Sequence, residues 1–351
     1  MWRKKFMHTI RRTVQTQDST ILGKQKDVTS SLQMKLSGRH RWHLAFHLIS
    51  LFLCFITTSL FADKSEVKGN VEFFVVIPSF NNNKVDGSGK NLIEKCLESV
   101  FIQSNPNWTI CHINDCSQDG TGQAAEDYAK QRGMLHKCHF INNPENRGAL
   151  ANLYDVISRC PDYKVIVLLD GDDSLFDHKV LDIVAREYRE HDAWITYGSY
   201  IKCPPGTRGH GSRIPSKVMK QCLFRKYKFV TSHLRTFKAK LFQNIKFEHL
   251  QNNGTFWRGG WDLIILFPML EMASHGHIRY IKRILYKWNN SNPLSDFRIH
   301  SNEQGEANVW VRAQPPYTPL DTLFPVEKHS KVHHRHHVHQ QEKHTKNNIY
   351  P

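Results

Sequence analysis

Asp170-Gly171-Asp172-Asp173 puts three carboxylates into one turn, directly after the apolar run Lys164-Val165-Ile166-Val167-Leu168-Leu169. Carboxylates this close repel one another and are costly to desolvate. A bound divalent cation would remove that cost, and hard oxygen ligands suit Mg2+ or Mn2+. The plain alternative is a solvated Asp-Gly turn. A second acid, Asp115, stands in His112-Ile113-Asn114-Asp115-Cys116-Ser117-Gln118-Asp119-Gly120-Thr121, again just past an apolar run. A third, Asp262, closes Trp257-Arg258-Gly259-Gly260-Trp261-Asp262 and opens an apolar stretch to Ala273. A carboxylate there could take the proton of an attacking hydroxyl, or simply cap the helix. His233 and Arg235, together with Trp261, are candidates to hold an acceptor sugar or a diphosphate. For His233 and Arg235 the alternative is the start of a surface helix. Glu271 is expected at a core edge or in a salt bridge.

These groups need elements to carry them. Phe73-Phe74-Val75-Val76-Ile77 is a continuous apolar run, the pattern of a strand buried on both faces. Asn91–Gln103 has apolar positions at helical spacing with Asn91 as cap. Trp108–Ile113 reads as a strand, 121–132 as a helix, 139–141 as a short strand, 149–158 as a helix and 164–169 as a strand. Lys228–Thr231 also looks strand-like. This alternation means an α/β domain with a largely parallel sheet. Ligands bind such sheets beyond the carboxyl ends of the strands, so Asp115 and Asp170 can share one crevice.

The ordered blocks FFVVIPSFNN, SVFIQ, INDCSQDGT, NPENRGALANLYDVI and VIVLLDGDD resemble those of family 2 glycosyltransferases with the GT-A nucleotide-sugar-binding fold. The resemblance covers residues 71–305. It implies that Pro78, Phe80 and Asp115 hold the base and ribose, that Asp170 lies by the ribose or metal, and that Asp172 binds the metal. It implies a loop over the nucleotide at Asn146-Arg147-Gly148, with Arg147 a nucleotide-sugar ligand. It implies that Asp262 is the catalytic base of an inverting transfer, and that a late histidine, His300, is a further metal ligand. The sequence departs from the pattern at Asn114, where a first acid is usual, and at Cys116, where glycine is usual.

Charge separates the ends from the middle. The net +16 comes from 48 Lys+Arg against 32 Asp+Glu in 351 residues. Residues 1–41 hold ten basic and two acidic residues, and residues 325–351 hold five and two, leaving +5 for the middle. Nucleic acid is therefore not expected as a partner. Residues 44–62 carry no formal charge and have the length of one bilayer crossing. The basic flank upstream puts the N-terminus in the cytoplasm and the rest across the membrane. A cleaved secretory signal read from Met34, or a buried core helix, are the alternatives. The expected organisation is a basic arm (1–43), the apolar segment (44–62), a linker (63–70), the α/β domain (71–305) and a Pro/His-rich, disordered tail (306–351). Asn107, Asn253 and Asn289 begin sequons, and no cysteine pair has CxxC spacing.

The function expected is transfer of a sugar, as a hexosyl or N-acetylhexosaminyl unit, from a nucleoside diphosphate sugar, UDP-linked for preference. The acceptor is a glycan, lipid or protein hydroxyl, and the compartment is the lumen of the Golgi or endoplasmic reticulum. A nucleotidyltransferase of similar sheet would want a Gly-rich phosphate loop after the first strand, which Pro78-Ser79-Phe80-Asn81 is not. A membrane-anchored sugar-binding protein would need neither the acid turn nor Asp262.

Overall fold

The run at 73–77 is a strand because every side chain of it is buried: β1 spans Phe73–Ser79. The computed structural model describes residues 70–324, apart from Ser88, Lys90, Leu294 and Ser295. The basic arm, the apolar segment 44–62 and the histidine-rich residues from 325 on lie outside the described residues, and so does the expected membrane crossing. Among the described residues no helix is long and apolar enough to cross a membrane.

Three parallel strands align their carboxyl ends. β1 pairs with β2 (Trp108–Asn114) from Phe73↔Trp108 to Ser79↔Asn114, and with β4 (Val165–Leu168) from Phe73↔Val165 to Val76↔Leu168. β3 (Cys138–Asn142) flanks β2 in parallel. The loops after β1, β2 and β4 therefore leave the sheet at one edge, as expected for an α/β crevice. On the other side of β4 lies β8 (Ser232–Lys238), antiparallel to both β4 and β6 (Ile195–Gly198), with β11 (Ile278–Tyr280) outermost. The strand-like reading of Lys228–Thr231 is corrected here. Those residues join no ladder, and the strand begins one residue later, where neighbours on both sides supply hydrogen bonds. His233 and Arg235 thus sit in a central strand and not at a helix start.

Helices cover both faces. α1 (Leu92–Phe101) starts at Asn91, whose side chain accepts from the backbone N–H of Ile93 and Glu94. α2 (Thr121–Gln131), α3 (Ala149–Ile157) and α4 (Val180–His191) follow. α5 (Trp261–Met272) is buried at every position but Asp262. A three-stranded sheet of β5 (Ser174–Leu175), β12 (Tyr286–Asn289) and β7 (Tyr200–Cys203) lies beside the acid turn. A hairpin of β9 (Gln251–Asn252) and β10 (Thr255–Phe256) precedes α5.

The boundary at residue 305 also moves. α6 (Ser301–Ala313) runs straight through it, with Ala307 and Val311 buried against α5. The domain reaches beyond the expected start of the tail, because Glu271 anchors the segment that contains Tyr317. Its carboxylate pairs with Arg225 at 2.6 and 2.8 Å and accepts from the Tyr317 N–H at 2.9 Å. Arg225 also donates to the Val311 carbonyl. A buried carboxylate without such partners would cost several kcal/mol, about 3–5 when one partner is removed.

His112 on β2 is fully buried, with neither ring nitrogen hydrogen-bonded. Burial lowers its pKa from 6.5 to about 4. The folded chain then binds fewer protons than the unfolded chain below pH 6.5, so the stability this neutral ring confers is present above 6.5 and is lost as pH falls toward 4. The loss is about 3 kcal/mol. Urea denaturation should show the slope between pH 6.5 and 4, and His112→Phe should flatten it; an unchanged slope would clear His112 of the effect.

Candidate active site

The acid turn is held from two sides. The parallel ladder continues past β4, since Leu169 N–H donates to Val76 O and Gly171 N–H to Pro78 O, at 3.2 and 3.1 Å. Glycine is required by this closeness, because a Cβ at 171 would overlap Ser79 Oγ. From the other side, β12 and the residues after it supply donors. Tyr286 Oη accepts from the Asp170 N–H at 3.2 Å and donates to Asp170 Oδ2 at 3.4 Å. Asn289 N–H donates to Asp173 Oδ1, and Asn292 Nδ2 to Asp172 Oδ2, each at 2.6 Å. Asp173 is buried, and burial, then the charges of Asp172 and Asp170, push its carboxyl well above the usual range. Asp170 and Asp172 line a cleft of about 580 Å3, a size suited to a small ligand.

Pro78, Phe80 and Asp115 stand together in the wall of this cleft. The loops after β1 and β2 clasp one another there. Asn81 and Asn83 N–H groups donate to Ser117 Oγ and Asp119 Oδ2, both at 2.9 Å, and Asn82 N–H to Thr121 Oγ1 at 2.8 Å. The Asp115 carboxylate is engaged by the neighbouring loop. It accepts from Asn143 Nδ2 and from the backbone N–H of Arg147 and Gly148, at 2.8, 2.9 and 2.8 Å. Gly148 has φ +83, which lets the backbone turn both N–H groups onto one carboxylate. The Arg147 side chain does not line the cleft. Its guanidinium pairs with Asp155 on α3, so the expectation that it binds the nucleotide sugar is corrected. Arg258 stands in the wall instead, donating to Asn146 Oδ1 and O at 2.8 and 2.9 Å. Its place beside the glycines before α5 was the only sequence cue for it.

Asp262, Trp261, His233, Arg235 and His300 line the same cleft. The cap of α5 is Gly260, at φ +67, and Asp262 sits in the first turn. Asp262 Oδ2 accepts from Arg235 Nη2 at 2.8 Å, and Oδ1 from Leu263 N–H at 3.0 Å. Arg235 is buried, and its Nε has no partner in the described residues. His233 stacks on Tyr286 at 4.5 Å, and burial, then Arg235, hold its ring well below the usual histidine range. His300 stands just before α6, with Nδ1 3.9 Å from Glu303.

Among the described residues no three His, Cys, Asp or Glu side chains gather as a cation cage. The set still fits a hard divalent ion that keeps most of its ligands from phosphate and water. Burial, then the charges of Asp172 and Asp170, raise Asp173 toward protonation, and nearby positive charge would relieve the crowding.

Residues 74–246 match the family model described as glycosyl transferase family 2. The uncharacterized protein y4gI of Sinorhizobium fredii is 26% identical over 219 residues, covering 61% of this chain and 22% of its own. A putative teichuronic acid biosynthesis glycosyltransferase of Bacillus subtilis, TuaG, is 30% identical over 99 residues, covering 28% of this chain and 35% of its own. Glycosyltransferase GlyG of Streptococcus pneumoniae is 25% identical over 126 residues, covering 36% and 38%. The chain thus spans well under two thirds of these relatives' lengths. Among solved structures, Staphylococcus aureus TarS 1–349 in complex with UDP-GlcNAc overlays with TM-score 0.46 at 16% identity, covering 63% of this chain and 59% of that one. A Pyrobaculum calidifontis mannosyltransferase in complex with GDP-Man and Mn2+ overlays at 0.43 and 15%, covering 77% and 81%.

Gly171→Ala should push the acid turn off the end of β1. Calorimetry with UDP and Mn2+ is expected to lose at least about tenfold in affinity, while the thermal midpoint moves by only a few degrees. Unchanged affinity would mean that the turn does not touch the nucleotide.

Proposed function

We propose that this domain transfers a sugar from a nucleoside diphosphate sugar to an acceptor hydroxyl, with inversion and with a divalent cation. One observation carries the reading: the acid turn and Asp262 line a single cleft. The nucleoside would lie along Pro78, Phe80 and Asp115, and the sugar between Asp170 and Trp261. Asp115 acts here chiefly through the loop it holds, Arg147–Gly148, which forms the wall beside the base. UDP is the donor nucleotide favoured by the family resemblance.

Asp172 would hold the cation, with His300 as the further protein ligand proposed from the opposite wall. Bound there, Mg2+ or Mn2+ would offset the negative charge that builds on the leaving diphosphate. Asp262 takes the proton of the acceptor hydroxyl as its oxygen bonds to the anomeric carbon. The bond from that carbon to the diphosphate oxygen breaks on the far side, and the nucleoside diphosphate departs with the electron pair. Arg235 keeps the Asp262 carboxylate aimed at the hydroxyl, and His233 and Trp261 border the sugar.

Asp172→Asn is expected to lower turnover at least about a hundredfold with donor and Mn2+ present. Asp262→Asn should lower turnover about as much while donor affinity stays within a few-fold. Radiolabel transfer and calorimetry measure the two. Normal turnover in Asp172→Asn sinks the cation assignment. Weak donor binding with normal turnover in Asp262→Asn would leave that residue a purely structural one. A preference for a nucleoside triphosphate would move the domain to nucleotidyl transfer.

The proposal extends to topology: residues 44–62 anchor the chain, with the domain in a lumen that contains nucleotide sugars. Alkaline carbonate should leave the chain in the membrane pellet, and protease added to sealed vesicles should spare the domain. Release into the supernatant would favour a cleaved signal.

A further inference from the structure

The mild +5 of the middle conceals a strong local imbalance. Residues 193–247 contain twelve Lys and Arg and not one Asp or Glu. Two of the twelve are spent in ion pairs that cross to other segments, Arg225 with Glu271 and Arg235 with Asp262. Arg208, Arg213, Lys217, Lys220 and Lys226 are exposed, and no ion pair among the described residues reaches any of them or the half-buried Lys202. Protein surfaces ordinarily mix both signs, and unbalanced charge of one sign repels itself. A solvated face would not need such one-sidedness.

The strip is also built against the cleft. Lys202 Nζ lies 5.9 Å over the ring of Trp288, which lines the cleft. The loop after β7 is pinned flat on Tyr200. Gly209 N–H donates to Tyr200 O at 2.8 Å, Lys202 N–H to Thr207 O at 2.8 Å, and a Cβ on Gly209 would overlap the Tyr200 ring. Tyr200 in turn packs edge-on against His233 and Trp288, at 5.5 and 5.7 Å. His210, hydrogen-bonded to Tyr200 Oη at 3.3 Å, lies within reach of the charges of Arg235 and Asp262. Arg208 is fastened to Lys282 O at 3.2 Å. The first part of the strip, Lys202 to His210, therefore lies beside the cleft, on a loop already held in place.

We propose that this strip docks an anionic acceptor glycan, one bearing sulfate, phosphate or carboxylate groups, and delivers its hydroxyl to Asp262. The inference rests on the transfer reaction proposed above and names its acceptor class. Attraction to a charged strip speeds encounter and favours the right partner, and it weakens with salt.

The test uses the full chain and dextran sulfate as probe, with uncharged dextran as reference. One variant carries Arg208→Gln, Arg213→Gln and Lys217→Gln. A control loses the same charge elsewhere, through Lys130→Gln, Arg159→Gln and Arg186→Gln. The strip variant should bind dextran sulfate roughly tenfold more weakly, the control within about twofold. In a transfer assay, sulfated oligosaccharides should outcompete neutral ones, and the strip variant should lower the ratio of transfer to donor hydrolysis. Equal losses in both variants would mean diffuse charge and overturn the proposal. Preference for phosphatidylserine vesicles over dextran sulfate would make the strip a membrane contact and overturn it too. Donor hydrolysis by the wild type separates the two levels. If it proceeds while the strip variant changes nothing, only the acceptor proposal falls; if no nucleotide sugar binds, both fall.

Discussion

Three carboxylates within four residues, at the end of a strand with no room around it, are the constraint on which this fold turns. Asp173 is buried, Asp170 half-buried, and both lie within a few atoms of Asp172. Like charges so close destabilise one another unless donors meet them. The donors come from far along the chain: Tyr286, Asn289 and Asn292, more than a hundred residues later. The small sheet of β5, β12 and β7 is thus what makes the acid turn tenable in the absence of a cation. It also explains why β12 runs so close to β5: Tyr286 pairs with Leu175 immediately after the turn.

The walls of the cleft are tied by a different device, arginines. Arg258 clamps the loop at Asn146 from the segment that leads into α5, and Arg235 on β8 clamps Asp262 at the start of α5. A planar guanidinium fixes direction as well as distance, which a lysine would not. Gly259 joins the same junction, its N–H donating to Glu303 at 2.9 Å, so α6 is part of the cleft's construction. Removing α6 from the domain would open this wall, which is why the boundary lies beyond residue 305.

The strands β1, β2 and β4, the helices α1 to α3 and the cap at Asn91 were legible because each stems from local pattern: apolar runs for strands buried on both faces, helical spacing, a capping asparagine. Asp115 and Asp170 to Asp173 stood out in the sequence because each group comes directly after an apolar run, and Asp262 because it opens one. Arg147 misled for a reason of geometry. Its backbone N–H serves the site while its side chain turns to Asp155, and spacing cannot distinguish the two. Arg258 was hidden by the same limit, being one arginine among many until its partner Asn146, 112 positions away, is known. His233 and Arg235 were found as residues, but their place in a central antiparallel strand was not legible, because such a strand depends on neighbours distant in the chain.

By itself the sequence determined the parallel half of the sheet and the acids that stand at one edge of it, since these depend on interactions between near neighbours. Only the tertiary structure decided which cations face those acids, where the domain ends, and that the loop from Lys202 to His210 packs beside the cleft. Those are pairings across the chain. Their energies depend on distance in space, and distance in space is what a linear pattern of residue types does not contain.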